Sequence, residues 1–497
     1  MNSRWWLIIW GCALLLQLAR SHFFFSWDNS DRNLQIQATA NFVAGHGISV
    51  ASVDPHDLSK TTYQRLSRWP VGYSLLLAPI YLLTGDWMIA AEGLHLLGIL
   101  LLFVMMARWW LHLDIHSNRW APVYFFLPWA ISFAPFQFLG TTDLWSGLLV
   151  LWGSLMLLKD RKWTAILLFS GAVMLRYACY PLLLLPAIWF WRNRNHRMQQ
   201  VLAGTGLFVL FFALQQYQSE AGGYFAINEN LPTTERLFGF FPQQLLRFDN
   251  FFLKSYLFVY FPKLSSLSGI GEAWLKVVGW GVSATLISGI WKQKKYIPDN
   301  LISLTFFLTV LMAGLLILFS AVIPAEEWGR EGWWTYVEES RYFFVLMVLF
   351  QFLIAMSLGM PWQNRWKKYV ILLLFLFLTS LGGIHNVQRI SRNQKEIDSP
   401  LQRTERDMKD VYHAISNLYQ KGHPIIYLYG SQYEWYEKQM AATWGGARMM
   451  SETEWGRRHD LTKQKEPIYL IVDGVEIDSI SRQIQILTLD QLLHASE

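Results

Sequence analysis

The chain has 497 residues, 53% of them hydrophobic and only 16% charged, with 26 Trp, 21 Tyr and 33 Phe. A charged fraction this far below the usual quarter excludes an ordinary soluble domain and points to a polytopic membrane protein. The net charge of +6 contains no basic run, which excludes a nucleic-acid surface, and the two cysteines, Cys12 and Cys179, lie inside apolar runs, which excludes a disulfide framework or a thiolate metal site.

In chain order, Arg4 precedes an apolar run from Trp5 to Leu18 with no small-residue cleavage pattern after it. It is expected to be an uncleaved first helix with a cytoplasmic start. A polar stretch from Trp27 to Tyr73 is then external. It opens on Trp27-Asp28-Asn29-Ser30-Asp31-Arg32, continues through a helix-like run from Leu34 to Val43, stops at Gly45-His46-Gly47 and closes on Arg68-Trp69-Pro70-Val71-Gly72-Tyr73. Glycine ends a helix readily because it takes the left-handed conformation at no steric cost.

Val71 to Leu83 is too short to cross about 30 Å of hydrocarbon and reads as a re-entrant or interfacial piece. Spans follow at Trp87–Trp110, Trp120–Leu139 and Leu144–Leu158, then a pair, Trp163–Leu175 and Pro181–Trp191, interrupted by Arg176 and Tyr180-Pro181. Val201–Leu214 leads into a second polar loop, 215–272; Ala273–Trp291, Leu301–Ile323, Tyr342–Met360 and Tyr369–Ile384 complete about eleven crossings. Lys and Arg concentrate in the links placed inside and the acids in those placed outside, as the positive-inside rule requires. The expected architecture is mainly α: a polytopic membrane helix bundle over residues 1–385, with external juxtamembrane helices and external loops at 23–70, 215–272 and 324–340. An odd number of crossings places the remainder, 386–497, outside as a small α/β domain with an amphipathic helix over 401–421 and strands at 424–429, 467–472 and 483–489.

The ionisable residues outside the cytoplasmic links gather at one level. Arg176 comes about 21 Å along a helix from Lys162, near the outer end of its span. Asp143 and Arg341 each stand at the start of an inward helix, and Asp31 and Arg68 lie in the external loop. Glu92 and His95, three apart on one helix face, suit a buried hydrogen-bonded pair better than a metal site, since no second such pair supplies further ligands. No ligand set indicates a divalent metal.

Several stretches together resemble the polyprenyl-phosphate-sugar-dependent membrane glycosyltransferases of the C-type fold, which include the protein mannosyltransferases and the aminoarabinose transferases of lipid A. The resemblance rests on Asp31, Ala40-Asn41, Gly45-His46-Gly47 and the Arg68 to Pro79 segment, and extends through Thr141-Thr142-Asp143, Gly171 to Pro186 and Glu339-Ser340-Arg341-Tyr342. It implies Asp31 as general base, with Asp28 the alternate, and Arg68 and Arg341 at the donor phosphate. Tyr342 and Arg176 join that group, while Asp143, Tyr73, Glu92 and His95 line the pocket. The implied partners are a polyprenyl-phosphate sugar, a lipid, glycan or protein acceptor and membrane lipids, at the periplasmic face of a bacterial inner membrane. Two positions depart from the family: Arg32 follows Asp31 where an acid is frequent, and Val71 replaces the second proline of a paired-proline turn.

The residue chemistry agrees. A phosphate leaving group gains negative charge in the transition state, which arginine forks stabilise, and an acceptor hydroxyl needs a base. Asp31 also has a plain reading as a helix cap, and Arg68, Arg176 and Arg341 as cations near headgroups. A lipid-linked sugar transporter or flippase would carry mid-membrane polar groups and an internal repeat, neither of which is visible. A polysaccharide polymerase or ligase would use a diphosphate donor and gives Asp31 no role, and a non-catalytic scaffold is the remaining alternative.

Overall fold

In the computed structural model, residues 5–23, 30–53, 60–66, 70–113, 120–131, 141–192, 198–219, 287–322, 344–359, 400–419, 425–429, 441–444, 446–451, 468–473 and 484–488 are described, with isolated positions at 281, 284–285, 365–366, 368–373, 376 and 491. The fold is mainly helical. The helices are α1 (Trp5–Phe23), α2 (Ser30–Val43), α3 (Gly72–Thr84), α4 (Trp87–His112), α5 (Ala121–Ile131), α6 (Thr141–Leu158), α7 (Lys162–Leu175), α8 (Leu184–Arg192), α9 (Met198–Ser219), α10 (Asp299–Val322), α11 (Phe344–Gly359) and α12 (Pro400–Tyr419). Among the described residues, α4 is long and apolar enough to cross a membrane; its 26 residues reach about 39 Å. The loops 215–272 and 324–340 fall almost wholly outside the described residues. Two compact units form: Met1–Phe25 with His95–Ile390, and Ser26–Leu94 with Ser391–Glu497.

In the first unit, helices pack through aromatic rings and are tied by polar side chains that bond to main chain. Trp109, Trp110, Trp129, Phe103, Phe125 and Phe126 are fully buried, and Phe125 stacks on Phe352 of α11 at 4.1 Å between ring centres. Two polar side chains of α1 reach the main chain of α5: the Gln17 amide donates to the Trp129 carbonyl and Arg20 Nη1 to the Ala130 carbonyl at 2.7 Å. Helix α5 contains Pro128, whose ring nitrogen has no proton to give the carbonyl four residues earlier, that of Tyr124. Gln351 Nε2 of α11 fills the gap, donating to Tyr124 O at 2.6 Å. Close helix contact elsewhere depends on small residues: a Cβ on Gly98 would meet Leu144 Cδ2 at 2.7 Å, and one on Gly153 would meet Phe169 at 3.0 Å.

The second unit is assembled from two stretches far apart in sequence. Its six-stranded sheet has the order β2-β1-β4-β3-β5-β6, with β1 (Ser49–Val53), β2 (Thr61–Arg65), β3 (Ile425–Tyr429), β4 (Arg448–Ser451), β5 (Ile468–Asp473) and β6 (Ile484–Thr488). β1 and β2 form an antiparallel hairpin with Ser49 opposite Arg65. β4, β3, β5 and β6 run parallel, and β1 joins them parallel to β4 through Ser52 opposite Met449. The hairpin of the first polar loop and the strands of the last hundred residues are therefore one sheet. Ile425 to Leu428 are all buried, as expected of a central parallel strand covered on both faces. α12 buries Met408, Val411, Ile415 and Leu418 at helical spacing.

Gln351→Leu is expected to destabilise the first unit by about 1–2 kcal/mol, because it removes the side-chain donor to the Tyr124 carbonyl. Adding Pro128→Ala restores the local donor, so the double variant should recover part of that loss in thermal unfolding of the detergent-solubilised protein.

Candidate functional site

Helices α6 and α7 form a hairpin through Lys159-Asp160-Arg161, where Asp160 takes a left-handed φ of 56°. Lys162 folds back at this turn, 3.3 Å from the Asp160 carboxylate and 5.3 Å from the Phe190 ring centre. At the opposite end, Asp143 in the first turn of α6 pairs with Arg176, the residue that ends α7. Arg176 is extended, with φ −154° and ψ 120°, and its N–H bonds the Ala172 and Val173 carbonyls. A 3-10 turn, Tyr177–Leu183, carrying Pro181, follows it. The break predicted at Arg176 and Tyr180-Pro181 is thus a single extended residue and a tight turn. The Asp143 side chain is 2% exposed and that of Arg176 17%. Two opposite charges removed from water hold each other, and the carboxylate fixes the direction of the guanidinium fork. The sequence places both at one level but does not pair them. The available signal was their nearly equal distance along the chain from the turn at Asp160.

Asp31 is the second residue of α2, which begins at Ser30, four residues before the predicted run. Its side chain lies outside the described residues. The helix that carries it is polar yet buried: Arg32, Asn33, Gln35, Gln37 and Thr39 are all at most 5% exposed, with Ile36 and Ala38 fully covered. Ser74 Oγ of α3 donates to the Gln35 carbonyl at 3.3 Å, and Asn41 Nδ2 to the Ser49 carbonyl at 2.7 Å. The helix ends as anticipated at Gly45-His46-Gly47, with φ of 87° at Gly45 and 73° at Gly47, and His46 N–H bonding the Asn41 carbonyl. Tyr73 is fully buried in the first turn of α3. That helix is 13 residues long and capped by left-handed Gly85.

In α4, His95 is buried and Glu92 half-buried three residues earlier, and each has interaction partners. Among the described residues no group of three or more His, Cys, Asp or Glu is placed to hold a metal. Asp28, Arg68, Arg341 and Tyr342 lie outside the described residues. Asp31, Tyr73 and Glu92 belong to the second unit; Asp143, Arg176 and His95 belong to the first.

The phenols of Tyr63 and Tyr412, in the second unit, are shifted. Burial raises Tyr63 above its ordinary value of 10.0, Tyr419 adds to the effect and Arg448 opposes it. Burial likewise raises Tyr412, helped by Asp86 and Tyr81 and opposed by hydrogen bonds from the Ser416 side chain and the Trp87 main chain.

No family model matches the chain, and no curated protein matches it. Among solved structures, the crystal structure of the apo oligosaccharyltransferase of Archaeoglobus fulgidus superposes with a TM-score of 0.44 at 11% identity, covering 90% of this chain. The chain spans 64% of the length of that enzyme. A match at this level assigns neither family nor activity.

Asp143→Asn or Arg176→Met alone is expected to cost about 3 kcal/mol by stranding a buried charge, and the double variant less than the sum of the two, measured as a double-mutant cycle in unfolding. A phenol whose folded-state value lies above its unfolded one contributes stability that is fully present below about pH 10 and is lost as pH rises through the folded value. The second unit should therefore weaken on the alkaline side of pH 10, and Tyr412→Phe should flatten that slope in a pH series of melting curves.

Proposed function

We propose that the protein is a polytopic membrane glycosyltransferase that moves one sugar from a polyprenyl-phosphate carrier to an acceptor hydroxyl at the external, periplasmic face. The observation that supports this most is the Asp143–Arg176 pair. A half-buried arginine held by a buried carboxylate at the broken end of an apolar helical hairpin is costly to keep, and such residues in membrane helices mark substrate sites. A lipid phosphate donor anchors its tail in hydrocarbon and its phosphate at the surface, the level assigned to the Arg176 end of that hairpin by the charge distribution of the links.

In this reading Asp31 takes the proton from the acceptor hydroxyl as its oxygen attacks the anomeric carbon. The bond from that carbon to the phosphate oxygen breaks, and the polyprenyl phosphate leaves with the bonding pair. Arg68, Arg341, Tyr342 and Arg176 meet the growing phosphate charge, Asp143 orients Arg176, and Tyr73, Glu92 and His95 line the pocket. Asp28 is the alternate base. A single displacement inverts the sugar centre.

The test is transfer from radiolabelled polyprenyl-phosphate sugars to envelope acceptors by purified wild type and Asp31→Asn. The variant is expected to lose about 10² to 10⁴ in rate while still binding donor. Equal rates would reduce Asp31 to a helix residue and pass the role to Asp28.

A further inference from the structure

The polar loop that carries Asp31 does not bury itself. Within α2, residues 32, 33 and 35–39 are covered although most are polar, and one carbonyl of this helix is met by a segment some four hundred residues further along the chain. Trp444 is 4% exposed in the helical turn at residues 441–444, and its indole Nε1–H donates to the carbonyl of Asn33 at 3.3 Å. Four residues later Arg448, also 4% exposed, donates from Nη1 to the Lys60 carbonyl at 2.7 Å. That carbonyl stands immediately before β2, and Met449 beside Arg448 pairs with Ser52 of β1. The loop is thus held at its helix and at its hairpin by residues that lie between Trp444 and Met449. Between the two contacts, Gly446 has φ +105° and lies so close to Tyr419 that a Cβ would meet the ring at 2.6 Å, so the turn that aims Trp444 and Arg448 admits little but glycine.

Asn33 is two residues from Asp31 on the same helix. A hydrogen bond to its carbonyl restrains the axial position and rotation of the first turn of α2, which set where a residue at position 31 stands. A general base acts only within hydrogen-bond reach of the proton it takes, and misplacement by about 1 Å costs on the order of 10²-fold in rate. We infer that Trp444 is a positioning residue for Asp31, acting through the Asn33 carbonyl, and that Arg448 holds the hairpin end of the same loop. This inference rests on the proposed role of Asp31 as the base. It assigns the C-terminal segment a part in the turnover step in addition to its place in the sheet.

The test uses the full-length protein and three variants: Trp444→Phe, which keeps an aromatic ring and removes the N–H, Arg448→Met, which keeps the stem and removes the donor, and Asp31→Asn. Amide hydrogen exchange is read without substrate, and kcat and donor KM are read in the transfer assay. Trp444→Phe should speed exchange over residues 30–43 and leave β3 and β5 unchanged, with kcat lowered by about 10-fold or more and KM for donor unchanged. Arg448→Met should speed exchange over 49–65. Unchanged exchange over 30–43 in Trp444→Phe, or unchanged kcat where Asp31→Asn is inactive, overturns the positioning role while leaving the base assignment intact. Full activity of Asp31→Asn overturns the base assignment and the positioning role with it, and the exchange data then report only how the helix is held.

Discussion

Burying a polar helix costs free energy for every donor and acceptor that loses water, so such a helix depends on surroundings that return partners to its groups. α2 imposes this constraint on the second unit. Its buried Arg32, Asn33, Gln35, Gln37 and Thr39 offer no apolar stripe to drive packing, so the neighbours must be shaped to it. They are α3, β1 and the Trp444 turn, drawn from both ends of the chain. The mixed six-stranded sheet joins those partners, with β1 lying alongside β4. A loop that would otherwise be an excursion between two helices becomes part of a layered structure.

The same accounting governs the first unit, with main chain as the partner. Gln17, Arg20 and Gln351 each stand in an apolar helix and each donates to a carbonyl of α5. The carbonyl that Pro128 cannot serve is the one Gln351 reaches. Asp143 and Arg176 solve the problem differently, by pairing opposite charges at the end of a hairpin. Exchange for an apolar pair of similar volume is commonly neutral or stabilising, so keeping an ion pair there points to a use for the charge, which the proposed phosphate contact supplies.

Much of this was legible from local pattern. The helix stop at Gly45-His46-Gly47, the short helix after Val71, the break at Arg176 and the elements near 401–421, 424–429, 467–472 and 483–489 each depend on glycine, proline or a repeating apolar spacing within a few residues. What could not be read depends on partners distant in sequence. β1 and β2 are short and rich in Ser and Thr, and β4 is Arg-Met-Met-Ser. None has a strong strand signal, and pairing across about four hundred residues decides them. Trp444 and Arg448 carry no local signal, because their roles lie in the carbonyls they reach. At the site, chain spacing brought Asp143 and Arg176 to one level, but pairing is a property of the hairpin register. The roles of Asp31, Arg68 and Arg341 come from resemblance and chemistry, since their side chains lie outside the described residues.

The most direct measurement follows the sugar itself. The wild-type protein is placed in liposomes with a radiolabelled polyprenyl-phosphate sugar and extracted envelope acceptors, and label is counted in the lipid and acceptor fractions on each side of the bilayer. Label that leaves the lipid and appears on acceptor, with unlabelled polyprenyl phosphate remaining, is the predicted result. Label that crosses the bilayer still attached to its lipid, with none on acceptor, would contradict the transferase and identify a transporter.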